Sequence, residues 1–372
     1  MKILIAGGGT GGHVYPGIAV ANKIKEVYPN IDIEFVGKQS AIEGRVVPKE
    51  GYHLHHLNVY AYERGYSHAE KAKVLWYMML GVFRSISLLK HVKPDLVIGT
   101  GGYVCGPVVL AAKWKRLPTL IMEQNVIPGF TIHTLSRFAT VVCTSFEQSK
   151  QYMKHPERCV FTGNPVREEF DLWDRTSARR ELQLSDDDRL VLCFGGSLGS
   201  RSLNKAILGL IRKAMSEPDF HVCHVTGEHI YREFLSQLEE AGLQIDTYQN
   251  ISVLAYADNM PLLIHAADLV ISRSGATSIA ELNYVGVPAI YVPFPHAAND
   301  HQTKNAVVTA NAGASVVIPD EQMDEKILSE KVGWLFSDPR WLHAMAEASE
   351  RLGKKNASDL ILQEVVKLLG KK

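Results

Sequence analysis

The chain has 372 residues, 46% hydrophobic and 22% charged, the balance of an ordinary globular protein with room for about two domains. Its 40 basic and 40 acidic side chains cancel, so no global field draws it to nucleic acid and any basic patch has to be local. Five cysteines without paired spacing argue against a disulfide framework or structural zinc, and the apolar run before Gly7 is broken too soon for a secretory leader.

In chain order, the first element is a bare apolar strand, Lys2 to Ala6, that runs into GGGTGGH, Gly7 to His13, and then a helix over Pro16 to Val27. Glycines let the backbone approach a ligand closely, and amides at a helix start form a partly positive socket for phosphate. Gly7, Gly9 and Gly12 also satisfy G-x-G-x-x-G, which raises a dinucleotide oxidoreductase as an alternative. The second strand, IDIEFVG, counts against it. A ribose-binding acid belongs at its end, where Gly37 and Lys38 stand, whereas Glu34 lies inside the strand. His13 occupies the loop-to-helix junction, and two roles suit it: a base for a hydroxyl proton, or a cap or pyrophosphate contact.

His53, His55 and His56 alternate with apolar residues and read as partly exposed strand positions. A helix follows over Glu70 to His91. Leu75, Met78, Met79, Val82, Ile86 and Leu89 recur at helical spacing and predict its buried stripe. Trp76, Leu80 and Phe83 form a second apolar stripe among Lys71, Lys73, Arg84 and Lys90, and Trp114 sits in a similar cluster with Lys113, Lys115 and Arg116. Such a patch is either a peripheral anchor for anionic lipid or a helix buried all round. Neither Val74 to Phe83 nor the glycine-broken run Leu96 to Ala112 is built to cross a bilayer.

The strand DLVIGTGG ends in GTGGY, Gly99 to Tyr103, which places Gly101, Gly102 and Tyr103 on the same rim as the opening loop; two glycine loops on one rim suit a diphosphate. TLIMEQN and TVVCTS are the next strands. GNPVR, Gly163 to Arg167, then puts Arg167 near a domain junction, where it could meet a phosphate, a base or an acid of the other domain.

The second half begins afresh with RLVLCFGG, Arg189 to Gly196, followed by FHVCHVTG, ISVLAY, DLVISRSG and PAIYVPF, a second parallel sheet whose GGSLGSR echoes the first glycine turn. Domains of residues 1–163 and 164–372 are expected, with the last helices, from Trp341 onward, able to pack on either half. RSGATSIAEL sets Ala276, Thr277 and Ser278 at a helix start with open amides, and Glu281 farther along, where a carboxylate could accept from both ribose hydroxyls. Asp186 to Asp188 contain a D-x-D pattern but precede a strand, at the wrong end for a crevice of carboxyl termini, so a solvated turn is expected and no metal site. The fold class is α/β, two Rossmann-like parallel-sheet domains facing a central cleft.

GGGTGGHVYPGIAVA, GTGGYVCGP, EQNVIPG, GNPVR, GGSLGSR, ISRSGATSIAE and VPFPHAANDHQTKNA resemble, in this order and over essentially the whole chain, the bacterial MurG-type N-acetylglucosaminyltransferases. The resemblance implies a GT-B fold and an inverting transferase that needs no metal or other cofactor. It would move N-acetylglucosamine from UDP-N-acetylglucosamine to the muramyl hydroxyl of lipid I, giving lipid II for peptidoglycan. The first domain would receive the acceptor and associate with the membrane through Trp76, Leu80, Phe83 and Trp114. The second would hold the nucleotide.

By matched positions, Glu281 would bind the ribose, Ala276, Thr277 and Ser278 would line the nucleotide site, Ser197 would meet the diphosphate, and the backbone near Ala257 the uracil. Gln302 and Asn125 would help hold donor sugar or phosphate, with Arg167 nearby. Thr10, Gly11 and Gly12 would serve the diphosphates. His13 would be the candidate base, with Asn125 as an alternative group to orient the hydroxyl. The resemblance further implies a peripheral location on the cytoplasmic face of the bacterial cell membrane, an anionic surface, with cell-wall synthesis proteins as partners. The chain departs from the family pattern at Leu198 and Ser200, where GGSQGA is usual, at Ile132 and His133, and in keeping a single glutamine, Gln302, in HAANDHQ.

Overall fold

The computed structural model describes residues 1–59, 67–196 and 199–370, and of residues 68–72, 74 and 75 the backbone alone. The chain divides into two units, Met1–Arg167 with Lys354–Lys372, and Glu168–Gly353. The first unit runs through Arg167, and the C-terminal helix, among the last helices expected to be able to pack on either half, belongs to it.

Unit 1 alternates strands and helices: β1 (Lys2–Gly7), α1 (Gly11–Val27), β2 (Asp32–Gly37), α2 (Ile42–Lys49), β3 (His53–His56), α3 (His68–Val92), β4 (Leu96–Gly101), α4 (Gly102–Trp114), β5 (Thr119–Glu123), α5 (Phe130–Leu135), β6 (Val141–Thr144) and β7 (Cys159–Phe161). The strands form one parallel sheet in the order β3-β2-β1-β4-β5-β6-β7. Ile3, Leu4 and Ile5 on β1 and Leu96, Val97 and Ile98 on β4 are buried on both faces, which is why these strands read as unbroken apolar runs. Glu34 can lie inside β2 because it is near the sheet edge, paired with Lys2 at 2.7 Å and His55 at 2.5 Å.

Unit 2 holds α6 (Arg175–Glu181), β8 (Arg189–Phe194), α7 (Arg201–Ser216), β9 (Phe220–Val225), α8 (Tyr231–Glu240), β10 (Ile251–Leu254), α9 (Met260–Ala266), β11 (Leu269–Ser272), α10 (Ala276–Val285), β12 (Ala289–Tyr291), α11 (His301–Asn311), β13 (Ser315–Val317), α12 (Glu325–Phe336) and α13 (Pro339–Leu352). Its parallel sheet runs β10-β9-β8-β11-β12-β13. Helix α7 shows how the sequence folds locally: Ser200 caps its start, and Leu203, Ile207, Leu210, Ile211 and Ala214 bury one stripe on the sheet. The last helix, α14 (Ala357–Leu369), belongs to unit 1, where Ile361, Val365 and Leu368 join the core beside α1 and Asp359 pairs with Lys23 at 3.2 Å.

Both sheets are doubly wound, and in each the strand order reverses beside the first strand, between β1 and β4 and between β8 and β11. The loops leaving the carboxyl ends of those four strands are the natural ligand sites of such a sheet. They are the glycine-rich loops of the sequence.

Helix α3 corrects one expectation. Met78 and Met79 were assigned to its buried stripe, yet Met79 is 48% exposed and Met78 is also at the surface. The buried face is built around Gly81 and Ser85, because a small residue at 81 lets the helix approach Pro107 of α4; a Cβ there would already lie 3.2 Å from the proline ring. Leu75 lies outside the described side chains.

Candidate active site

In unit 1 the loops after β1 and β4 interlock. Gly102 has φ +76°, and a Cβ on it would lie 2.1 Å from the carbonyl oxygen of Gly8. Gly101, at φ +109°, has its missing side chain replaced by the His13 ring, whose Nε2 would be 3.0 Å from a Cβ there. Thr10 begins α1, but its hydroxyl lies 3.2 Å from His13 Nδ1 and does not cap the helix. For Nε2 to take a proton, Nδ1 must keep its hydrogen and donate it to that hydroxyl. Tyr103 packs its ring on Gly9, and burial together with the Glu43 carboxylate pushes its phenol upward. The Tyr15 ring lies against Gly11 and carries the Arg167 guanidinium 4.9 Å above its centre. The structure therefore gathers Thr10, Gly11, Gly12, His13, Gly101, Gly102, Tyr103 and Arg167 at one switch point.

Asn125 stands on the neighbouring loop after β5, tied to β4 by Gln124 Nε2, which donates to the Thr100 carbonyl at 2.9 Å. Beneath these loops are two buried acids the sequence reading missed. Glu43 accepts from Gly9 N–H at 3.0 Å and Lys38 N–H at 2.9 Å, and Glu123 receives the amides of Asn125 and Gly129. Glu43 stands in no motif, and Glu123, although it opens EQNVIPG, gives no sign in the sequence that its carboxyl group is buried beneath a loop.

In unit 2, Gly275 leads into α10 without a side-chain cap, so the helix presents its first amides. Thr277 adds a buried hydroxyl without a hydrogen-bond partner among the described residues. Glu281 is five residues beyond Ala276, about 7.5 Å along the axis, a spacing that fits a diphosphate at the helix start and a ribose beside the carboxylate. Ser278 shares the first turn. Gln302 is oriented by Phe294, whose N–H donates to its Oε1 at 2.9 Å, while its own carbonyl accepts from Ser274 at 2.9 Å. Ala257 follows the edge strand β10, three strands from β11, or about 14 Å at the usual spacing. Ser197 lies outside the described residues.

Arg273, also missed, holds these parts together. It donates to the Val292 carbonyl at 3.0 Å, to Asp320 at 2.6 Å, to Ser200 at 2.7 Å and to Ser202 at 3.0 Å, joining the starts of the crossovers after β8, β11 and β12. Ser200, where the family pattern has alanine, serves as both helix cap and partner of this arginine.

Among the described residues, no cluster of His, Cys, Asp or Glu is placed to hold a metal ion, and no helix is long and apolar enough to cross a membrane. Trp76, Phe83 and Trp114 are each more than half exposed, and Leu80 is partly so. Phe130, at the start of α5, is 77% exposed and was not singled out from the sequence.

Residues 3–144 match the glycosyltransferase family 28 N-terminal domain, and residues 190–361 match the family 28 C-terminal domain. A relative from Desulforudis audaxviator (strain MP104C), named as an N-acetylglucosamine transferase, is 42% identical over 371 residues, spanning 100% of this chain and 99% of the relative. One from Clostridioides difficile (strain 630), with the same name, is 41% identical over 99% of this chain and 89% of its own length. The crystal structure of Acinetobacter baumannii MurG is similar at a TM-score of 0.74 and 28% identity, covering 100% of this chain and 99% of that one. The S. aureus MnaA–UDP structure, at 13% identity, a TM-score of 0.71 and coverage of 99% and 97%, is alike in fold alone. The fold is GT-B, and the chain belongs to the family of the UDP-N-acetylglucosamine--N-acetylmuramyl-(pentapeptide) pyrophosphoryl-undecaprenol N-acetylglucosamine transferases.

Proposed function

We propose that this chain transfers N-acetylglucosamine from UDP-N-acetylglucosamine to the muramyl 4-hydroxyl of lipid I, producing lipid II. The observation that carries the donor assignment is the uncapped start of α10, with the Thr277 hydroxyl, which has no hydrogen-bond partner among the described residues, and Glu281 about one and a half turns on. Its amides and hydroxyl suit a diphosphate, and the carboxylate suits the two ribose hydroxyls. Gln302, with its oxygen engaged by Phe294, directs its amide hydrogens to a sugar hydroxyl or phosphate oxygen. Ala257 and Ser197 serve the uracil and the diphosphate.

In unit 1, the interlocked loops with Thr10, Gly11, Gly12, Gly101, Gly102 and Tyr103 receive the acceptor diphosphate, and Arg167 supplies a fixed positive charge. His13 Nε2 takes the proton of the attacking hydroxyl while Asn125 orients it. UDP is displaced from the anomeric carbon in one step: the C–O bond to the acceptor forms as the bond to UDP breaks, and the helix amides take up the charge on UDP. Unit 1 docks on an anionic membrane surface through Trp76, Leu80, Phe83 and Trp114, with Lys73, Arg84, Lys90, Lys113, Lys115 and Arg116 around them. That surface is the cytoplasmic face of the bacterial cell membrane, where cell-wall synthesis proteins are neighbours. Labelled UDP-N-acetylglucosamine with a short-chain lipid I analogue tests the reaction, and Glu281→Ala should raise the donor KM.

A further inference from the structure

Glu123 ends β5, is 2% exposed, and carries a carboxylate that, among the described residues, its neighbours address with N–H groups. Asn125 donates twice to Oε1, from its backbone N–H at 2.8 Å and from its carboxamide Nδ2 at 3.1 Å. Gly129 N–H donates to Oε2 at 3.0 Å. Burial pushes the carboxyl up to about 7 against the pull of these donors. An apolar side chain of similar size would be far less costly to place here, so the acid is explained by what it organises.

These bonds close residues 124–129 into a fixed loop. Gln124 ties that loop to Thr100, and Ser149 Oγ donates to the Asn125 carbonyl at 2.8 Å. The bond from Nδ2 to Glu123 thereby sets the plane of the Asn125 carboxamide.

Resting on the reading that Asn125 meets the acceptor, we propose that Glu123 is a positioning residue for sugar transfer, fixing the carboxamide of Asn125 and the entry to α5 before the acceptor arrives. Both its oxygens are engaged by N–H donors, so its part is orientation and not proton transfer.

A double-mutant cycle tests this. Glu123→Gln keeps the shape but has one oxygen where the loop needs two, so kcat toward a short-chain lipid I analogue should fall about 10-fold to 10²-fold, with the donor KM unchanged. In an Asn125→Ala background the same substitution should have little further effect. Glu123→Asp, which keeps the charge but draws it back, should show a weaker coupling of the same sign, and serves if Glu123→Gln does not fold. Circular dichroism confirms that only folded proteins are compared. Multiplicative losses in both backgrounds would overturn the assignment, as would a raised donor KM with kcat intact. Absence of transfer by the unmodified protein would overturn the underlying reading as well, which keeps the two failures apart.

Discussion

Gly102 meets the backbone of Gly8 so closely that a single added carbon would sit 2.1 Å from the Gly8 carbonyl oxygen. The contact welds the loop after β4 to the loop after β1, and Gly102 at φ +76° is where the second loop turns into α4. Gly102→Ala should therefore destabilise unit 1 by roughly 1–3 kcal/mol from backbone strain alone, with the overlap adding to it. Chemical denaturation measures the loss. A variant as stable as the parent would show that the loops do not need this approach.

Glu43 is 1% exposed and uses both oxygens, one for Gly9 N–H and one for Lys38 N–H. In Glu43→Gln one of these donors faces an amide NH₂, leaving a buried N–H unsatisfied at about 1–3 kcal/mol. The expected result is a lower denaturation midpoint and faster amide exchange at Gly9 or Lys38. Unchanged exchange at both positions would refute the role.

Two buried groups give the units opposite responses to pH. Glu123 is raised from 4.5 to about 7, so between those values folded unit 1 keeps a proton that the unfolded chain releases, and its stability falls as pH rises. His224, enclosed between the Cys193 carbonyl and Asn204, is lowered by burial from 6.5 to about 4. Between those values unfolded unit 2 binds a proton that the folded unit refuses, so its stability rises with pH. Each effect is of order 3 kcal/mol. Amide exchange corrected for its intrinsic rate should show β5 losing protection from pH 5 to 7 while β8 and β9 gain it from pH 4 to 6. Parallel trends in the two sheets would contradict these assignments.

Because α3 turns Met79 outward with Trp76 and Phe83, replacing any of the three with serine should weaken binding to anionic vesicles. Removing that much apolar burial amounts to roughly tenfold per side chain. Met79 separates the observed face from the stripe expected from spacing. Normal vesicle binding by Met79→Ser beside impaired binding by Trp76→Ser would show that the helix meets lipid by another face.

The alternation of strands and helices was legible because strands buried on both faces, such as KILIA and LVLCF, read as apolar runs between turns. The edge strands CVF and SVV were not, since three residues, most of them half-buried, are too few to carry such a pattern. The glycine loops were legible because positive φ and close backbone approach demand glycine. Glu43, Glu123, Tyr15 and Arg273 were not, because each takes its meaning from partners brought close by the fold; Arg273 meets Asp320 across 47 residues of chain. Met79 was misplaced because spacing alone does not tell that Gly81 and Ser85, rather than the largest side chains, mark the packed face of α3.

The most direct measurement follows radiolabelled sugar from UDP-N-acetylglucosamine into a short-chain lipid I analogue, in the unmodified protein, His13→Ala and Glu281→Ala. Labelled disaccharide product is expected from the unmodified protein, with kcat lowered by about 10²-fold or more in His13→Ala and the main loss in donor KM for Glu281→Ala. Donor binding without any labelled acceptor, or release of free sugar alone, would contradict the account.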